Sequence, residues 1–275
     1  MLLESLPLGK RSVLMCANFS TVGANVICMA NLFQNELTEV YSWEQAVKKS
    51  KGYSDALLID ALASQFKENL INRNNTLDNS AWTTRKCHLI LGWKLSCGNI
   101  VSTRVADFGG GNGYMFGWIK SSQVGEEPHY TVFESQEIAN AYSNIENNLG
   151  ITFSSDHQFN DSLRFDLTIL SCTLQYLEHW EELLKLALKI SRFVLIMRTP
   201  VIEATSDRIF IQEPLKGIYK DSSASWPIRF LSRRKLLAIL DLYSVTIFTA
   251  LDFEETFQYE GNLHPNETYL VKAKE

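Results

Sequence analysis

The segment Val105-Ala106-Asp107-Phe108-Gly109-Gly110-Gly111-Asn112-Gly113 runs from an apolar stretch into an acid and then a glycine turn. Glycines allow left-handed turns and let the backbone approach a ligand to van der Waals contact. Tyr114 to Ser122 can open a helix, and the first N–H groups of a helix have no partner within it. They point into the space the turn surrounds. An acid at the end of the next strand would be placed to take vicinal hydroxyls. His129-Tyr130-Thr131-Val132-Phe133-Glu134 supplies it, with Glu134 21 residues beyond Gly113. A glycine-rich structural turn is the plain alternative, and the ordered pair of acids argues against it.

Spacing discriminates among the ligands such a turn can hold. A dinucleotide fingerprint needs Gly-x-Gly-x-x-Gly, and counting from Gly109 and Gly111 its third glycine falls on Tyr114. A phosphate loop needs a closing Gly-Lys-Ser/Thr, which the chain lacks. What remains, Asp-x-Gly-x-Gly-x-Gly with the acid inside the strand end, resembles motif I of class I S-adenosylmethionine (SAM) methyltransferases. That resemblance implies SAM as cofactor. A carboxylate near the turn suits its cationic amino group, and Glu134 suits its ribose. It also implies an α/β fold with a Rossmann-like, seven-stranded sheet, helices on both faces and an antiparallel last strand.

The elements along the chain agree with that class. After Ile100, strands are predicted at 103–108, 129–134, 150–155, 165–171 and 192–198, with helices at 113–122, 136–148 and 178–190. In the last, Trp180, Leu183, Leu184, Ala187 and Leu188 fall on one helical face. Ser232 can cap a helix over Arg233–Leu240, followed by strands at 243–249 and 267–273. Such alternation argues for a parallel sheet covered on both faces. Residues 1–99 read as an N-terminal helical extension and 100–275 as the cofactor-binding domain. In the extension, Ser42 can cap a helix over Trp43–Ser50, and Leu58, Leu62, Phe66 and Leu70 recur every four residues. Thr84 to Leu95 is predicted as a further helix.

Ligands of open α/β sheets sit beyond the carboxyl ends of the strands. Four strand ends therefore frame the expected cofactor site: Asp107 through Gly113 (with Phe108, Gly109, Gly110, Gly111 and Asn112), Glu134-Ser135, Asp156, and Ser171-Cys172. Asp156 suits the adenine amino group or, equally, a helix cap or solvated loop. Beyond Cys172, Gln175 and Tyr176 are placed to face a methyl acceptor. No Asn-Pro-Pro-Tyr or Asp-Pro-Pro-Tyr follows this strand, which weakens a nucleic-acid amino-methylating reading. No acid cluster offers oxygen ligands for magnesium, so no metal is expected. Cys172 lacks the preceding proline of a covalent pyrimidine methyltransferase and reads as a packing residue near the cofactor.

Arg198-Thr199-Pro200 ends the next strand. An arginine there suits an anionic or hydroxyl-rich acceptor, or a salt bridge to a local acid such as Asp207. An insertion at about 201–231 reads as a lid. Within it, Tyr219 and Trp226 are candidates for stacking on a sugar, or for packing the lid onto the sheet. Candidate proton-handling residues are His179, His129 and Tyr219, with Arg198 as an orienting cation.

Composition bounds the remainder. The chain has 275 residues, 45% apolar and 21% charged, enough for an ordinary core plus an appendage. A net charge of −5 offers no general attraction to nucleic acid. The cysteines Cys16, Cys28, Cys87, Cys97 and Cys172 are scattered and odd in number, which favours a reducing cytoplasm. Val13 to Phe33 is interrupted by Asn18, Ser20, Thr21, Asn25 and Asn31, so it is too polar for a membrane span. It reads as a packed helix or a homodimer contact, with membrane-surface association as the alternative.

A wider resemblance covers the chain from about Tyr41 onward. Tyr41-Ser42-Trp43-Glu44-Gln45-Ala46 with Gly52-Tyr53, Asp107-Phe108-Gly109-Gly110, Leu174-Gln175-Tyr176-Leu177, Arg198-Thr199-Pro200, Gln212 and Tyr219 are similar to a bacterial family of methyltransferases encoded among surface-polysaccharide (lipopolysaccharide/O-antigen) genes. Met197 stands where that family tends to have an acid, and Arg229 where it tends to have a second tryptophan. The resemblance implies methyl transfer to an oxygen or nitrogen of a sugar or glycan. The competing expectations are a natural-product, small-molecule or peptide methyltransferase, and a catalytically silent partner protein.

Overall fold

The computed structural model describes residues 36–51, 84–98, 103–111, 113–122, 128–143, 150–155, 165–213 and 225–274. Its main sheet has seven strands: β2 (Arg104–Phe108), β3 (His129–Phe133), β4 (Ile151–Ser154), β5 (Phe165–Ser171), β6 (Ser191–Thr199), β10 (Ser244–Tyr259) and β11 (Asn262–Ala273). Their spatial order is β10-β11-β6-β5-β2-β3-β4. Strands β2 to β6 pair in parallel, and β11 lies antiparallel to both β6 and β10. The chain builds outward from β2 through β3 to β4, then returns to the other side of β2 with β5. The order therefore switches between β2 and β5, at the carboxyl end of the glycine-bearing strand.

The central strands are buried on both faces, as a parallel sheet sandwiched by helices requires. In β5 every residue but Asp166 is buried. Helix α5 (Trp180–Ile190) turns Trp180, Leu184, Ala187 and Leu188 inward, the face its sequence marks out. Each such leucine contributes about 1.5–3 kcal/mol of burial. Helices α2 (Thr84–Cys97) and α3 (Tyr114–Ser121) cover the opposite face, with Leu89, Trp93, Phe116 and Ile119 in one core with Leu167 and Leu195. Helix α4 (Gln136–Ser143) packs on β4 through Tyr142 and Phe153, rings 5.3 Å apart.

The expected cover at 201–231 contributes three strands to a second, four-stranded sheet, ordered β1-β8-β9-β7: β1 (Glu36–Val40), β7 (Val201–Ile202), β8 (Arg208–Glu213) and β9 (Trp226–Ser232). Strand β1 lies in the stretch expected to be a helical extension. It pairs antiparallel with β8, Thr38 opposite Ile211. Five residues are too few to define a helix, and a pairing partner some 170 residues away is invisible to local pattern. The cap of helix α1 (Trp43–Lys49) forms as expected, with Gln45 N–H donating to Ser42 Oγ at 3.1 Å. Arg229 lies over Trp43 at 5.0 Å and pairs with Asp207 at 2.9 Å. It thus ties α1 to β9. The amphipathic stretch with Leu58, Leu62, Phe66 and Leu70, and the segment Val13 to Phe33, lie outside the described residues.

The last hairpin is much longer than the strands expected at 243–249 and 267–273. Its two-residue turn is Glu260-Gly261, with φ of 49° and 78°, the left-handed pair a tight hairpin needs. The far end reaches the second sheet, where Phe230 meets Phe257 at a ring separation of 4.5 Å and His264 stacks on Phe257 at 5.5 Å. A register shift between Asp252 and Thr256 interrupts the ladder and presents Glu255 to the end of β6. A turn formed by Glu260 with an adjacent glycine is a weak signal in sequence, and the bulge has none.

Candidate functional site

The glycine turn caps the carboxyl end of β2 beside the strand-order switch. Gly109, Gly111 and Gly113 all have positive φ, at 66°, 57° and 67°. A Cβ on Gly109 would come 3.0 Å from Thr173 Oγ1, and one on Gly110 would come 2.3 Å from Asp107 Oδ2. The two neighbours therefore need glycine for room, independently of backbone conformation. Thr173 closes the link to β5 by donating its hydroxyl to the Phe108 carbonyl at 2.6 Å. Phe108 itself stacks on Phe133 at 4.8 Å, so it supports the turn from below the sheet end.

Asp107 is fully buried. Tyr130 donates its hydroxyl to Oδ2 at 2.6 Å, whereas Oδ1 has no partner. Burial pushes the carboxyl up to about 7; the Tyr130 bond opposes the rise and the Glu134 charge adds to it. Gly110 seals the group from the turn. The carboxyl is therefore not an open surface acceptor. Glu134 accepts the Gly111 N–H at 2.8 Å on Oε1 and the Ser135 N–H at 3.2 Å on Oε2. Burial raises this carboxyl as well, with the two N–H bonds opposing it. Both acids thus meet one turn, and one of them ties it to β3. Ser135 caps α4, its Oγ accepting the Ile138 N–H at 3.4 Å. Asn112, Asp156 and Tyr219 lie outside the described residues.

Across the switch, Ser171 is buried and its hydroxyl has no partner. Cys172 follows with φ of 57°, an unusual conformation for a residue with a side chain. Burial raises its thiol despite the nearby Arg198. A thiol held neutral is a poor nucleophile. Arg198 also has positive φ, 53°, and its side chain reaches Glu255, Nε to Oε2 at 2.7 Å. The partner is not Asp207, the local acid anticipated from sequence. Asp207 is occupied by Arg229, the Trp180 indole at 3.1 Å and the Ser232 N–H at 2.9 Å. Arg85 continues the ion network, 2.7 Å from Asp252 and 3.3 Å from Glu255. Tyr114, first residue of α3, hydrogen-bonds Arg198, which connects the network to the glycine turn. Glu255 and Arg85 carry no motif, and only the bulged hairpin and α2 bring them here.

A cleft begins at Cys172 and Gln175 and runs between the second sheet and the long hairpin. It encloses about 750 Å³, counting the part open to solvent. Tyr176, Gln212, Phe230 and Glu255 are among its walls. Gln212 Oε1 accepts from the Tyr176 hydroxyl at 3.0 Å and from the Trp226 indole at 2.7 Å. Trp226 is thereby tied to β8 within the cover itself. Thr199 is fully buried and donates to the Met197 carbonyl at 3.2 Å. His179 is exposed at the start of α5 and does not line the cleft. His129 begins β3, at the amino edge of the sheet and so opposite the turn. Among the described residues no group of three or more His, Cys, Asp or Glu is placed to hold a metal ion. No described helix is long and apolar enough to cross a membrane.

With β2 as first strand, the sheet reads 3-2-1-4-5-7-6 with the seventh strand antiparallel. This is the Rossmann-like fold of class I methyltransferases. No protein-family model and no curated protein sequence matches the chain. Among solved structures, it overlaps an S-adenosylmethionine-dependent methyltransferase from Clostridium acetobutylicum ATCC 824 with 12% identity and a TM-score of 0.48, over 76% of this chain and 98% of that one. The N-terminal domain of EvdMO1 with SAH bound overlaps at 11% identity and a TM-score of 0.45, over 78% and 97%. CalS10, an amino pentose methyltransferase from Micromonospora echinaspora, overlaps at 9% and 0.44, over 76% and 96%. The strand order of this chain is what decides the class I fold.

Proposed function

We propose that the chain is a SAM-dependent methyltransferase acting on a small polar acceptor, a sugar or glycan of surface-polysaccharide biosynthesis. The observation that supports it most is the glycine turn at the strand-order switch, with Asp107 behind it and Glu134 fastened to it. The residues fit the cofactor. Asp107 keeps a buried Oδ1 without a partner, a carboxyl that a cation placed against the turn would draw into its charged form. A glycine turn that forbids side chains leaves room for a nucleoside against the backbone. The first N–H groups of α3 open on the same side.

Bound SAM supplies an electrophilic methyl group on a sulfonium. The protein's contribution is then position: holding the acceptor in line, roughly 3 Å from the methyl carbon, replaces an improbable encounter by a prepared one. Gly109 to Gly113 and Glu134 hold the cofactor in this reading. Gln175, Tyr176 and Glu255 border the acceptor space, with Arg198 holding Glu255 from behind. Tyr219 remains a candidate orienting or proton-handling residue on the lid. The cleft lies at the end of β5 and β6, where an acceptor would meet the donor.

Calorimetric titration of the full chain with S-adenosylhomocysteine (SAH) tests the first half. Saturable binding is expected, weakened at least tenfold by Glu134→Ala. No saturable binding, or equal binding by that variant, removes the proposal. For the second half, the cell-surface glycan with and without the gene should differ by one methyl group in its mass.

A further inference from the structure

The cleft has a composition that selects among acceptor atoms. Gln175 lines it and is only 2% exposed. Its Nε2 is held twice, donating to Cys172 Sγ at 3.1 Å and to the Arg198 carbonyl at 3.0 Å. The reverse amide orientation would set two oxygens against each other, so the assignment is forced. That leaves Gln175 Oε1 buried without a hydrogen-bond partner. A buried acceptor left unmade is costly, and a ligand that donates to it recovers the loss.

Glu255 lines the same cleft. Arg198 and Arg85 both approach one of its oxygens, Oε2, at 2.7 and 3.3 Å. Burial pulls this carboxyl up, but the two guanidinium groups outweigh burial and hold it below the ordinary glutamate value. Glu255 is thus a standing anion and a poor proton acceptor. The described residues lining the cleft include no histidine, lysine or arginine.

These features bear differently on the two kinds of nucleophile. A hydroxyl becomes reactive as it loses its proton, which calls for a positioned base. A free amine attacks through a lone pair it already has. Its two N–H bonds match two acceptors, and the lone pair is left along a remaining tetrahedral direction. A hydroxyl has one O–H, and can donate to only one of the two acceptors at a time. We propose that the methyl acceptor is the nitrogen of a primary amine on a small polar molecule, with Gln175 Oε1 and Glu255 receiving its two N–H bonds. This rests on the methyltransferase reading above. The nitrogen lone pair forms the new bond to the methyl carbon as the carbon–sulfur bond breaks. The breaking pair stays on sulfur, leaving the neutral thioether SAH. The positive charge passes to nitrogen, and the resulting methylammonium gives its extra proton to solvent.

The test uses the full chain saturated with SAH and three matched pairs of probes: glucosamine against glucose, galactosamine against galactose, and phenethylamine against phenethyl alcohol. Affinities are read by competition in ligand-observed NMR at a pH where the amines are partly free. The amine is expected to bind at least tenfold more tightly in one pair or more. Gln175→Leu, checked for unchanged melting and SAH affinity, should lose about tenfold of that preference. Equal binding, preference for the alcohol, no binding by any probe, or a preference that survives Gln175→Leu overturns the amine assignment. Should that variant melt early, the wild-type comparison still decides. Failure of SAH to saturate the wild type is a separate result, and it removes the methyltransferase reading itself.

Discussion

Replacing Asp107 by asparagine isolates the effect of a buried charge at the glycine turn. Burial moves the carboxyl from its ordinary 3.8 to about 7. Between those values the native chain holds a proton that the unfolded chain has released. Stability contributed by this group therefore falls as pH rises through the window, and the loss is complete above about 7. At about 1.36 kcal/mol per unit, the full span is worth about 4 kcal/mol. Between pH 5 and 8 about 3 kcal/mol of it is traversed. Asparagine retains an oxygen for the Tyr130 hydroxyl, which donates at 2.6 Å in the native chain, and it cannot ionise. Wild type and Asp107→Asn should therefore diverge in the sense that the variant gains relative stability as pH rises. For a chain of this size that corresponds to a change of about 6–12 °C in the difference between their melting temperatures. Urea unfolding and calorimetry at pH 5, 6, 7 and 8 read it directly. Parallel profiles, or a wild type that gains on the variant with rising pH, would refute the reasoning.

Other outcomes follow from the same geometry. Gly109→Ala places a methyl 3.0 Å from Thr173 Oγ1 at a φ of 66°, so it should abolish SAH binding and cost about 2 kcal/mol or more in urea unfolding. Gly261→Ala, at φ 78° with nothing within 4 Å, should cost only about 1 kcal/mol and leave SAH binding intact. Cys172 is held neutral by burial whereas Cys87 is exposed, so brief alkylation at pH 7.5 followed by peptide mass mapping should label Cys87 well before Cys172. Cys172→Ser should retain methyl transfer, and a complete loss with unchanged SAH affinity would reinstate a covalent role. Glu255→Gln breaks the ionic bond to Arg198 at 2.7 Å and should raise the acceptor's KM more than it lowers kcat.

Much of this protein is written locally. Glycines at positions of positive φ, an acid at each of two strand ends, and apolar faces of period 3.6 or runs of buried strand are decided by neighbours a few residues apart. The strands β2 to β6 and helices α3, α5 and α6 (Arg233–Tyr243) accordingly fall within two residues or so of their predicted places, the end of α6 excepted. What local pattern cannot express is who meets whom. Leu37 and Val40 have no reason within their own segment to form a strand; β8 supplies the hydrogen-bond partners. Arg198 declares an arginine at a strand end, but only the bulge in β10 sets Glu255 against it, 57 residues away. Gln175 reads in sequence as a residue placed to face an acceptor, but its orphaned oxygen arises only when Cys172 and Arg198 occupy one end of its amide and leave the other empty. Sequence thus settles the fold class and the glycine turn at the end of its first sheet strand, because those depend on backbone conformation and burial period. The cleft beside Gln175 and Glu255 was decided by tertiary structure, because its charges and orphaned acceptor exist only as differences between partners that distant segments provide.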